Sequence, residues 1–287
     1  MATENTHRHD RERQRGSSTR WREQTAAFSR RYARELFRSK GVLFWTIAFP
    51  AGFYLLAIAL FVPEGVPDGQ EGQIRAGMAI SYGMFGAIIA ALNSFSEQLG
   101  TDIEDDRYLQ FRALSIAPTA DLAGRMIAGT VLTVVAFVSV LVVSLPTGAS
   151  YSLTSALSPA VVFLALVTFA VFWMTLAIVV SLAVTDSRYA SIITVSVALV
   201  AYMLTGYNGV DTSIYHGPDV LLNVMPHTLS TRLLVDQFVG SSGGGLTPPA
   251  EPTTGMGLTV LSAIALASLA VAVVLMRRYL YRREVMP

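Results

Sequence analysis

Cysteine is absent from the 287 residues, which excludes a secreted scaffold held by disulfides. Charge is scarce as well. Asp, Glu, Lys and Arg make up 14% of the chain, against about 25% in an average soluble domain, while hydrophobic residues reach 52%. The scarcity is uneven, because the intervals 41–63, 76–96, 126–185, 189–210 and 252–276 hold no charged residue at all. Each is long enough to cross a hydrocarbon core that needs roughly 20 apolar residues as a helix. The chain therefore reads as an integral membrane protein, and a soluble enzyme or a nucleic-acid-binding domain fits it poorly.

The neutral interval 126–185 is broken by Pro146-Thr147-Gly148-Ala149-Ser150 and again by Ser158-Pro159, a turn-rich interruption between two apolar runs. It counts as two helices. The fold class is all-α, with six spans predicted near 42–62, 76–96, 126–145, 160–184, 189–207 and 257–276. An even number places both ends on one side. Arg and Lys choose that side, since they are retained on the cytoplasmic face: segments 1–40, 97–125, 185–188 and 277–287 carry 19 of the 21, leaving only Arg75 and Arg232 opposite. A multi-pass protein of the cell membrane with cytoplasmic termini is expected.

Further absences bear on function. The predicted spans contain no ionisable residue, whereas proton-driven pumps and carriers place such residues inside the membrane. Sodium sites built from carbonyls and hydroxyls stay open, so a carrier driven by an ion gradient is kept as an alternative, beside a membrane scaffold that transports nothing. Four histidines do not cluster: His7 and His9 lie in a charge run, and His216 and His227 are eleven apart. No catalytic residue, metal or directly bound cofactor is expected. A phosphate-binding loop of the form G-x-x-x-x-G-K-[ST] needs a lysine, and the one lysine, Lys40, follows Ser39. Any ATP hydrolysis must then belong to another chain.

Residues 1–19 are polar and dense in charge, and read as a disordered tail before a transmembrane domain over 20–287. From Trp21 the pattern changes. Trp21, Thr25, Phe28, Tyr32 and Leu36 recur at helical spacing on one stripe, and Arg22, Arg30, Arg31, Arg34 and Arg38 fall outside it. An interfacial helix lying on anionic lipid suits this pattern, and contact with a partner protein suits it equally. Ser29-Arg30-Arg31 has the form of a twin-arginine export signal, but no small-residue cleavage site comes after it and five more spans do.

The segment 97–125 is the longest cytoplasmic connection. It is acidic at Asp102, Glu104, Asp105 and Asp106, then mixed at Arg107, Tyr108, Leu109, Phe111, Arg112 and Leu114. A short amphipathic helix stopped before Pro118 is predicted, because proline pushes the preceding residue out of helical geometry. Its exposed aromatic and apolar residues mark a docking element.

With an amphipathic lead-in helix, six spans, a loop closing on Leu114-Ser-Ile-Ala-Pro118 and Gly124-Arg125, the Gly-rich segment Thr205–Gly209 at the exit of the fifth span and the Pro-containing segment Val224–Thr228 before the sixth, the chain resembles the membrane subunit of ABC-2 type transporters. The resemblance covers residues 20–285. It implies a permease that exports a substrate as a homodimer or a pseudo-symmetric pair of such subunits, served by P-loop ATPase subunits that bind ATP and Mg²⁺. It also implies that the loop, through Glu104, Asp105, Asp106, Arg107, Arg112 and Pro118, enters a groove of the ATPase.

Between the fifth and sixth predicted spans, residues 219–239 are too broken to span and too apolar for a free loop. Short external helices are expected, re-entrant or at the surface, with Pro226 inside the segment and an Arg232–Asp236 pair four residues apart. Residues 240–252 read as a flexible linker. Tyr82, Phe85, Trp173, Tyr202 and Tyr207 are candidates for lining a substrate path, and Gly77, Gly83 and Gly86 for close helix packing.

Overall fold

The computed structural model describes residues 2–60, 70–184, 187–203, 218–240 and 252–281, and gives no side-chain detail for 2–17. Every regular element among the described residues is helical. Helix α1 (Ala2–Arg38) runs back through the segment read as a disordered tail. Arg, Glu and Gln are straight-chain helix formers, and a helix already nucleated downstream extends without a second nucleation penalty.

At Ser39 the chain turns. The Ser39 backbone is extended and its hydroxyl accepts from the Val42 N–H at 3.3 Å, capping α2 (Lys40–Leu43). A π-helical turn, Phe44–Ala48, leads on into α3 (Phe49–Leu60), and together they form the span-length helix Lys40–Leu60.

Helix α4 (Glu71–Glu104) is the axis of the bundle. Its 34 residues make about 51 Å of helix, beyond the roughly 30 Å of a hydrocarbon core, so it projects from the apolar layer. Its apolar window is wholly enclosed by the rest of the chain. Small residues permit this. A Cβ on Gly86 would lie 2.9 Å from the Thr46 carbonyl oxygen of the first π-turn, and Gly83 stands against Phe137 in the same way. These glycines serve packing within the subunit.

A seven-residue helix, α5 (Arg107–Ala113), comes next, flanked by Asp106 and Ser115, both with φ of 52°. The predicted short helix is therefore real, and it stops before Pro118. Pro118 then opens α6 (Pro118–Ser144), at the first helical position where its missing N–H costs nothing. That start lies eight residues ahead of the predicted span. A 3₁₀ turn, Leu145–Thr147, and Gly148 at φ 87° break the long neutral interval.

Helices α7 (Ser158–Ala183), α8 (Ser187–Met203), α9 (Asp219–Val224), α10 (Pro226–Val239) and α11 (Thr254–Leu275) complete the fold, the last continuing as a second π-turn, Met276–Leu280. Among the described residues five helices are long and apolar enough to cross a membrane: Lys40–Leu60, Glu71–Glu104, Pro118–Thr147, Ser158–Ala183 and Thr254–Leu280. The predicted span 189–207 corresponds to α8, whose apolar part is Ile192–Met203; residues 204–207 lie outside the described set. The short helices expected before the last span are α9 and α10, and α10 is buried among α4, α7 and α11.

Helix α1 crosses α6 where Gly124 leaves no room: a Cβ there would stand 2.4 Å from the Phe28 Cβ. Gly124→Leu is expected to destabilise the protein by about 1–3 kcal/mol, lowering its unfolding temperature in detergent. Gly52→Ala, where the added methyl meets nothing within 4 Å, is expected to raise it through helix propensity. A Gly124→Leu protein that melts with the parent would contradict the crossing.

Candidate functional site

The aromatic stripe of α1 faces protein. Thr25, Phe28, Tyr32 and Leu36 are buried while Trp21 is exposed, so the stripe read as meeting lipid or a partner instead docks α1 onto α5 and α6. Phe28 stacks on Tyr32 with ring centroids 5.7 Å apart and meets the edge of Phe111 of α5 at 5.4 Å. Trp21 donates to the Thr119 hydroxyl at 3.0 Å, and Gln24 accepts from the Ala117 N–H at 3.1 Å. The opposite face leaves Arg22, Arg30, Arg34 and Arg38 exposed.

Behind this stripe lies a cluster of charges. Asp102, in the last turn of α4 and 1% exposed, accepts from Arg31 at 2.9 Å, from Arg107 at 2.7 Å, from the Tyr32 hydroxyl at 3.2 Å and from Arg125. Asp121 sits in the first turn of α6, where the helix dipole favours a carboxylate. It accepts from Tyr32 at 2.8 Å, Arg125 Nε at 3.2 Å and Tyr281 at 3.1 Å, with Tyr108 at 3.5 Å. Arg125, fully buried, bridges the two carboxylates, donates to the Tyr108 hydroxyl at 3.3 Å and lies 4.1 Å above the Tyr32 ring. At the rim Glu35 pairs with Arg31 at 3.0 Å and Asp105 with Arg107 at 2.9 Å.

Burial pushes the Tyr32, Tyr108 and Tyr281 hydroxyls well above the ordinary tyrosine range; the two carboxylates push Tyr32 and Tyr108 the same way, Asp121 does so for Tyr281, and Arg125 opposes the rise at all three. All three stay protonated, which is the state in which they donate. Arg31 is also raised: burial acts against its charge, and Tyr32, Asp102 and Glu35 outweigh it.

The loop residues singled out from sequence divide by face. Arg107 reaches into the cluster, Asp105 pairs with it, Asp106 precedes α5 in the left-handed conformation, and Pro118 opens α6. Glu104, Asp105 and Asp106 are exposed and Arg112 is half-buried. On α5 itself Tyr108 and Phe111 point inward, while Leu109 and, just past the helix, Leu114 are 54% and 66% exposed. Residues to which the sequence reading gave no site role are Asp121, Arg125 and Tyr281. Their signal was the i,i+4 spacing of Asp121 and Arg125 directly before 60 uncharged residues.

At the other end of the bundle Pro226 opens α10, and Arg232 is buried, donating to Asn223 at 2.5 Å. Asp236 accepts from Gln237 at 2.9 Å, so these contacts stand where an Arg232–Asp236 pair was expected. Gln237 also accepts from Ser158 at 2.8 Å, tying α10 to α7. His227 packs against Trp173 at 6.1 Å, and burial lowers its pKa to about 3, so it is neutral. Of the path candidates, Tyr82, Phe85 and Tyr202 do converge, with centroids 5.8 Å and 4.6 Å from Tyr202; Trp173 belongs to the His227 contact, and Tyr207 is outside the described residues. Among those residues no group of three His, Asp or Glu side chains is placed to hold a metal ion.

Removing one member of a buried ionic cluster strands the others. Arg125→Met is expected to cost about 3–5 kcal/mol, read as a lower unfolding temperature, and combining it with Asp102→Asn and Asp121→Asn is expected to recover part of the loss. An unchanged melt for the single variant would contradict the cluster's role. The tyrosines add a pH signature. Their folded pKa values are raised, so their contribution is whole below about pH 10, where unfolded tyrosine ionises, and is lost as pH rises further. The unfolding temperature is expected to fall beyond about pH 10, and less so in Tyr32→Phe.

A search of curated proteins finds no match. The family described as ABC-2 type transporter matches residues 23–216, a stretch that opens within the stripe of α1 and includes α4, α5, the whole ionic cluster except Tyr281, and α6 to α8. With well over half of its length matched, the chain belongs to the ABC-2 type transporter family, as a membrane permease of an ABC-type system.

Proposed function

We propose that this permease works with a separate P-loop ATPase, which docks on α5 and drives export of a substrate by rocking the bundle. The observation that carries the reading is the division of α5. Its inner face, Tyr108 and Phe111, is fixed to the buried cluster, and its outer side presents Leu109, Leu114 and the carboxylates of Glu104, Asp105 and Asp106. An apolar ridge edged with charge is the composition of a protein-docking surface. A push on α5 reaches α1 through Phe28, α4 through Arg107 and Asp102, and α6 through Tyr108 and Arg125.

The position of α5 supports a cytoplasmic assignment for that end. Helix α1 and Tyr281 both meet Asp121, which supports termini on one face, and 19 of 21 basic residues fall in segments on that face. ATP and Mg²⁺ belong to the ATPase in this scheme, because a single lysine after Ser39 spells no phosphate-binding loop here. The permease acts as a homodimer, with the arginine face of α1 against anionic lipid.

The purified chain alone is expected to hydrolyse no ATP. Charge reversal at Glu104, Asp105, Asp106 and Arg112 together is expected to abolish co-purification of the ATPase and uncouple transport, with membrane insertion intact. Normal transport by that variant would refute docking on α5.

A further inference from the structure

The last span is the least enclosed of the five span-length helices, and along its length it packs chiefly on α7. Its tie to the loop helix comes at its end. The Tyr281 N–H bonds the Met276 carbonyl at 3.1 Å, five residues back, closing the π-turn Met276–Leu280. A π-turn inserts one residue relative to an α-helix, which rotates the residues beyond it by about 100°. Met276 and Leu280 are buried, Arg277, Arg278 and Tyr279 are exposed, and Tyr281 turns back toward the bundle. There its hydroxyl donates to Asp121 Oδ2 at 3.1 Å and its ring meets the edge of Tyr108 on α5 at 5.3 Å.

We infer that Tyr281 is a positioning residue, a latch that fastens the end of the last span to α5 and Asp121 so that displacement of the loop helix is delivered to that span. The inference rests on the coupling role proposed for α5. Two features make it a latch rather than further apolar packing. The bond to Asp121 is directional and charge-assisted, which makes it stronger than a neutral hydrogen bond, and the carboxylate it uses is the one already held by Arg125 and Tyr32. Tyr281 thereby gives the last span a direct hold on the charged centre that α1, α4, α5 and α6 share.

The absence of cysteine makes the test specific. Leu109→Cys on α5 and Tyr279→Cys on the π-turn, at positions 54% and 69% exposed, take spin labels at those two sites alone. In lipid nanodiscs, with labelled chains diluted into an excess of unlabelled cysteine-free chains so that only pairs within one subunit are read, the labelled pair is expected to give one narrow distance distribution. Tyr281→Leu is expected to lose it for a broad one, and Tyr281→Phe, which keeps the ring and drops the hydroxyl, to fall between. If Tyr281→Leu does not fold, the Tyr281→Phe distribution decides. A distribution that stays narrow overturns the latch. This measurement needs no ATPase, so its outcome is separate from that of docking on α5. In the full transporter Tyr281→Phe is expected to reduce substrate moved per ATP hydrolysed while ATPase binding is retained. An unchanged ratio would overturn the latch's part in coupling.

Discussion

Arg125 has no access to water. A guanidinium in that position must be surrounded by opposite charge and by hydrogen-bond acceptors, or the fold loses several kcal/mol. The two carboxylates that surround it come from different helices, Asp102 from α4 and Asp121 from α6. The electrostatic requirement therefore sets the axial register of α4 against α6, which apolar packing, being non-directional, leaves loose. Tyr32 closes the remaining side with its ring and hydroxyl, and so draws α1 into the same arrangement.

The loop helix depends on that charged centre in turn. Helix α5 has seven residues, too few to hold a helical form in water without tertiary support. It exists because Tyr108 and Phe111 are buried against α1 and the last span's end, and because Arg107 is tied to Asp102. Its outer side is consequently rigid. A surface already ordered loses little entropy when a partner meets it, which suits the coupling role proposed for α5.

Much of this was legible in the sequence, for a physical reason in each case. Charge-free intervals of span length can hardly be anything but membrane helices, and Pro118 marked both the end of the loop and the start of α6. The amphipathic stripe from Trp21 was correctly placed on a helix, yet an aromatic stripe has the same spacing whether it meets lipid, a partner or its own bundle; only the fold revealed Asp102, Asp121 and Arg125 beneath it. The cluster itself was hidden because its members are residues 31, 32, 102, 107, 108, 121, 125 and 281, and no local pattern joins residues so far apart. Arg232 illustrates the opposite error. Its i,i+4 neighbour Asp236 offered an obvious partner, and in the fold its guanidinium donates to Asn223 of α9.

The complete enclosure of the apolar stretch of α4 bears on how the protein enters the bilayer. A stretch enclosed by its own bundle is under little pressure to be lipid-soluble, and α4 carries Asn93, Ser94, Ser96 and Gln98 in its buried part. It is also the least apolar of the five span-length helices. Such a segment partitions poorly by itself, so its insertion must lean on neighbours, the first span before it and α6 after it. Biogenesis is then a cooperative step, in which the axis of the bundle is the element least able to stand in the membrane alone.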